Sequence, residues 1–149
     1  MRRPATAKGN RSLGVFTKEY IFATKGEIDI LDVTDYVSSA VVESRFLSGI
    51  ATVFTAEETC ALVVMEYEHG LMQDLKKAIG EIVPRGEGYV HDTIDDDAHS
   101  HLRTTLLGSS LTVPFVNGSL ALGAWQQILL LELGRRPSTR KIMVQVVGE

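Results

Sequence analysis

One cysteine stands in the whole chain of 149 residues, so no disulfide can form within it. That residue, Cys60, lies in the apolar run CALVVM with no adjacent lysine or arginine to favour a thiolate. A buried structural thiol is expected there, rather than a nucleophile. No uninterrupted apolar stretch approaches the roughly 20 residues of a membrane-spanning helix. The basic start, MRRPATAKGNRS, lacks the apolar segment of a secretory signal. A cytoplasmic location without membrane association is therefore expected. Positive charge is also in short supply. Fifteen Lys and Arg against 19 Asp and Glu leave a net charge of −4, which argues against a nucleic-acid partner. Repeats and long linkers are missing too. A single domain over residues 13–149 is expected, behind a disordered polar arm at residues 1–12 that carries Pro4, Gly9 and Asn10.

The 44% hydrophobic and 23% charged content belongs to an ordinary globular chain. VFTKEYIFAT and EIDILDV read as strands joined by a tight turn at Lys25-Gly26. Thr34 or Asp32 can cap a helix running to about Arg45, with Val37, Val41 and Val42 as its apolar stripe. IATVF and CALVVME are the next strands. Leu71, Met72, Leu75, Ile79 and Ile82 follow a helical spacing that must end before Pro84. SSLTVPF, SLALGAWQQILLLEL and TRKIMVQVVG close the chain as strands, separated by Asn117-Gly118 and Gly134–Ser138. Two or three helices among eight or so strands predict an α+β domain. WQQILLLEL is apolar on both faces, so both need cover, and a second subunit is one source of it.

The chemistry concentrates in YVHDTIDDDAHSHLR. Tyr89 to His101 hold three of the four histidines, His91, His99 and His101, together with four aspartates. Imidazole beside carboxylate suits a metal site, an acid/base site, a phosphate site or a polar loop held by hydrogen bonds. Three adjacent carboxylates, Asp95-Asp96-Asp97, repel one another unless water or a cation relieves them. Asp97 can also cap the helix-like AHSHLRTTLLG. Glu66 closes an apolar strand, where a buried acid would need a partner, whereas Glu57 and Glu68 read as surface charges. Arg103 with Ser109, Ser110 and the amides near Gly108 could hold a phosphate, although a helix C-cap uses the same glycine. Trp125 reads as core, and Gln126 beside it then needs an internal partner.

Taken together, H-x7-H-x-H-L, LLGSSLTVP, NGSLALGAWQQILLLE and the terminal VVGE resemble the YjbQ-like family, whose members are labelled secondary thiamine-phosphate synthases. TKGEIDILDVTDYV and CALVVMEYEHGLMQDL extend the resemblance over residues 15–149. It implies a β-sandwich-like core and a homotrimer built through the sheets. It also implies a site in which His91 and His101 bind a metal, zinc or magnesium. His99 falls on a variable place, and Glu66, Asp74, Asp97 and Gln126 fall on motif positions of catalytic character. One departure stands out. Glu58-Thr59-Cys60-Ala61 occupies the place of a histidine-led motif, so the resemblance implies Glu58 as third metal ligand. The expected activity joins an aminopyrimidine diphosphate to a thiazole phosphate. The alternative is a non-catalytic trimer that binds a metal or a small phosphorylated metabolite.

Overall fold

The computed structural model describes residues 12–149, so the arm expected at residues 1–12 lies, apart from Ser12, outside the described residues. Among the described residues, eight strands and three α-helices follow one another in an α+β order. β1 (Gly14–Ala23) and β2 (Asp29–Asp32) lead to α1 (Thr34–Ser44), then β3 (Ser48–Phe54) and β4 (Cys60–Met65). α2 (His69–Ile82), a short 3-10 turn (Val90–Thr93) and α3 (Ala98–Leu107) come next. β5 (Ser110–Val116), β6 (Ser119–Leu120), β7 (Gln127–Glu132) and β8 (Thr139–Gly148) complete the chain.

The strands divide into two antiparallel sheets, ordered β1-β8-β3-β5-β6 and β2-β7-β4. Lys25-Gly26 does turn the chain, but β1 and β2 belong to different sheets, so the turn is a crossing and not a hairpin. Asn117 and Gly118, at φ 52° and 72°, make the tight β5–β6 reversal that two successive positive φ values permit. Gly14, Gly148 and Gly49 sit opposite one another across β1, β8 and β3. A Cβ on Gly49 would stand 2.0 Å from the Val147 carbonyl oxygen, so only glycine fits that crossing.

Two apolar clusters explain the layering. Ala51, Val53, Val113, Phe115, Ile142, Val144 and Val146 of the large sheet meet Leu62, Ile128 and Leu130 of the small one, with α1 packed at the side. The opposite face of the small sheet, through Ala61, Leu129 and Leu131, packs on Ile79 of α2 and Leu107 of α3. β7 is therefore buried on both faces inside one chain, and no second subunit is needed to cover it. The apolar stretch read as one strand from Leu120 to Leu133 is also interrupted, because residues 121–126 leave the sheet. Trp125 is 75% exposed there, which corrects its assignment to the core. Cys60 is buried as expected, and burial with the nearby Glu132 carboxylate pushes its thiol up to about 12.

Candidate metal centre

α3 begins with an exchange of roles between two aspartates. Asp97 occupies the N-cap position but makes no side-chain cap. Asp92 instead accepts the Ala98 amide at 3.0 Å, which leaves the Asp97 carboxylate to turn elsewhere. It faces two histidines. Asp97 Oδ1 lies 3.2 Å from His91 Nε2, and Oδ2 lies 3.3 Å from His101 Nε2. Helical spacing accounts for half of this, since residues 97 and 101 share one face four apart. The 3-10 turn accounts for the rest by placing His91 against them, with the two imidazoles 5.1 Å apart and nearly perpendicular.

Ligand atoms of His91, Asp97 and His101 all lie within 4.8 Å of one another. The approach of His91 to Oδ1 is off the hydrogen-bond direction, so that buried oxygen has no donor. A buried carboxylate oxygen without a partner is costly unless a cation or proton satisfies it. Two imidazoles and one carboxylate suit zinc, manganese or iron(II), with positions left open, and suit magnesium less well. Of the two metals expected, zinc and magnesium, the donor set fits zinc better.

The group lines a cavity of ≈ 580 Å³ together with Glu57, Glu58, Asp95 and Arg140. Glu58 thus reaches the same cavity from the β3–β4 link, yet it is not among the three closely grouped ligands. Asp97 supplies the nearer carboxylate. The aspartate run is not one uniform solvated face, because Asp96 pairs with Arg135 at 2.9 Å and with Arg85 at 3.4 Å. A second cavity of ≈ 200 Å³, with Arg135, Arg136 and Ser138 in its wall, shares Thr59, Asp95, Asp97 and Arg140 with the first.

Behind the cavity runs a buried ionic network. Glu132 is fully buried at the end of β7, and its carboxylate accepts from Arg140, Thr24 Oγ1 and the Gly134 amide. Glu57 joins the same arginine at 3.3 Å, so it is not the free surface charge expected. A hydrogen bond to Glu132 raises the Arg140 pKa and keeps that guanidinium charged.

Other expected site residues lie apart. Arg103 is buried, donates to the Val83 carbonyl at 3.0 Å and pairs with Glu27, so its guanidinium turns inward. The expected phosphate set of Arg103, Ser109 and Ser110 therefore loses its cation. Ser109 gives its carbonyl to the Thr55 amide at 2.9 Å, and Ser110 opens β5. Gly108 is the C-cap of α3, at φ 97°. Glu66 is exposed just past β4 and not buried, Asp74 is exposed on α2, and Gln126 binds the Gly123 amide within its own loop at 2.8 Å. None of these three lines either cavity. Glu68, read as a surface charge, is the N-cap of α2; the Gly70 and Leu71 amides hold its carboxyl below the ordinary value. His99 is buried against Glu27 at 3.3 Å, outside the ligand group.

Residues 18–149 match the family described as UPF0047 protein YjbQ-like. The chain belongs to the YjbQ-like family. A UPF0047 protein of Archaeoglobus fulgidus is 43% identical over 129 residues, covering 87% of this chain and 99% of the relative. One from Methanothermobacter thermautotrophicus is 39% identical, covering 91% and 94%. The crystal structure of a YbjQ-like protein of unknown function from Sulfolobus solfataricus superposes with a TM-score of 0.90 at 36% identity, over 93% of this chain and all of that one. That solved structure therefore shares the fold of this chain. No helix among the described residues is long and apolar enough to cross a membrane.

Proposed function

We propose that the chain is a metal-dependent enzyme acting on a small phosphorylated metabolite, with His91, Asp97 and His101 as the ligands. One observation carries this reading: the Asp97 carboxylate stands between two imidazoles in a cavity wall, and its buried Oδ1 has no hydrogen-bond donor. A bound divalent cation supplies Lewis-acid charge that stabilises developing negative charge. The reaction to test is thiamine-phosphate synthesis, in which an aminopyrimidine diphosphate joins a thiazole phosphate and pyrophosphate leaves. The sequence resemblance supports that choice. A cytoplasmic setting belongs to the same proposal.

The test strips the purified protein of metal, reloads it with zinc, manganese or magnesium, and measures both bound metal and thiamine phosphate. Stoichiometric metal is expected, with loss in His91→Ala and Asp97→Ala, and product only in the loaded protein. Failure to bind any of the three metals at micromolar concentration would remove the metal reading. Metal binding without product would favour the second reading, a non-catalytic binder. The carboxylate of Glu58 in place of a family histidine supports that second reading.

A homotrimer built through the sheets remains part of the proposal. Its support lies in the outer face of the five-stranded sheet. There Val15, Val147, Ile50 and Pro114 line up across four strands, with Val116 beside them. Val15 is 65% and Ile50 44% exposed in the single chain, as befits an apolar row awaiting cover. Light scattering decides: a stable monomer at micromolar concentration removes the trimer, and Ile50→Lys is expected to shift a trimer toward monomer.

A further inference from the structure

We infer a phosphoryl-binding subsite beside the metal cluster, built on Arg136 and the main chain of Arg135–Arg136. It rests on the metal reading above, because it uses that charge. The two cavities meet along Thr59, Asp95, Asp97 and Arg140, so a ligand in one touches the wall of the other.

The arginines of the second cavity differ in what they still have to offer. Arg140 is committed to Glu132 and Glu57. Arg135 is committed to Asp96, through its carboxylate and its carbonyl. Arg136 has no carboxylate within ion-pairing distance among the described residues. The main-chain N–H groups of Arg135 and Arg136 also donate to no acceptor among the described residues. A free guanidinium beside unused consecutive amides is a recurring anion cradle.

The cradle is held in place. Gly134 gives its amide to Glu132 at 2.8 Å, and Thr24 and Ser138 exchange main-chain bonds at 2.8 and 3.3 Å. A Cβ on Gly26 would stand 3.0 Å from the Arg135 carbonyl oxygen, so the β1–β2 crossing is pressed against this loop. A preformed cradle spends little ordering entropy on its ligand.

Charge selects the ligand. Asp95 and Asp97 in the same wall repel an anion, and a divalent cation on Asp97 reverses that local balance. A phosphoryl group has three terminal oxygens, enough to face the cation and the guanidinium together. A carboxylate has two. The subsite therefore takes a phosphate end in a metal-dependent way.

The experiment titrates inorganic phosphate into the full chain, with and without Mn²⁺, and follows the phosphorus resonance. Electron paramagnetic resonance counts bound Mn²⁺ in parallel. Phosphate is expected to bind more tightly to the Mn²⁺ form, with its resonance broadened by the nearby ion. Arg136→Ala is expected to weaken phosphate by about tenfold or more while leaving the Mn²⁺ count unchanged. Arg136→Lys should recover part of the loss, and Lys77→Ala, on α2 and outside both cavities, should change nothing. Equal phosphate affinity in wild type and Arg136→Ala would overturn the subsite, as would wild type that binds no phosphate in either form. A wild type that binds phosphate through Arg136 but no Mn²⁺ would overturn the metal reading and the metal dependence of the subsite, and would leave the Arg136 cradle standing by itself.

Discussion

At the scale of single residues, the decisive event is that Asp92 caps α3 and releases Asp97. A capping carboxylate would point along the helix axis at the amides, away from His91. Zinc affinity separates the contributions of the two acids in the cavity. Asp97→Ala is expected to lower it by two orders of magnitude or so, as befits loss of a ligand and its charge. Glu58→Ala is expected to lower it far less, because Glu58 stands outside the close group. Calorimetry with the reverse ranking would make Glu58 the ligand instead. Glu58→His, which puts back the histidine that the resemblance implies at this place, is expected to tighten zinc, and unchanged affinity in the same titration would count against any role for position 58 at the metal. Glu132 poses a different problem. It is fully buried and its charge is met by Arg140, so Glu132→Ala leaves a half-buried cation with only its more distant carboxylate, Glu57. A loss of about 3 kcal/mol in urea unfolding is expected for such a broken pair.

At the scale of elements, β7 is the hinge of the packing. Leu130 faces the core between the sheets, whereas Leu129 and Leu131 face α2 and α3. Leu130→Ala and Leu131→Ala are each expected to cost about 2–5 kcal/mol, since both side chains are fully enclosed. The difference between the two variants should not change with protein concentration, because both faces are covered within the chain. A cost for Leu131→Ala that grows on dilution while that of Leu130→Ala stays fixed would contradict this packing. Element α3 carries part of the candidate ligand group on one side and an anchoring arginine on the other. Asp97 and His101 face the cavity, while Arg103 ties the helix to Glu27 ahead of β2.

At the scale of the whole molecule, that tie makes stability depend on acid. Burial alone would raise the Glu27 carboxyl, but hydrogen bonds from Arg103 and His99 outweigh it and hold the group below its ordinary 4.5. A depressed native pKa means that the unfolded chain binds the proton first as pH falls. The contribution of Glu27 is therefore complete above 4.5 and is lost as pH drops through the lower native value. Urea midpoints of wild type and Glu27→Gln are expected to differ at neutral pH and to converge below pH 4.5. A gap that stays constant down to acid pH would detach Glu27 from acid unfolding.

Local periodicity by itself determined much of this protein. The helix from His69 to Ile82, the helix after Asp97 and most strands follow from spacing, caps and turn residues, which act within a few positions. The density of histidine and aspartate between residues 89 and 101 likewise marked the segment that supplies the candidate ligand group. The long stretch before Leu133 misled because apolar composition does not distinguish a strand from an exposed loop that ends in one, and Trp125 falls on the loop side. Glu66 and Arg103 misled for a related reason: whether a charge faces solvent or the interior depends on what packs against it. Only the tertiary structure decided that β1 and β2 part into two sheets, and that Glu57 and Glu132 converge on Arg140. It likewise brought Arg136 to the edge of the cavity that Asp97 floors. Such contacts join residues far apart in the chain, and no local spacing encodes them.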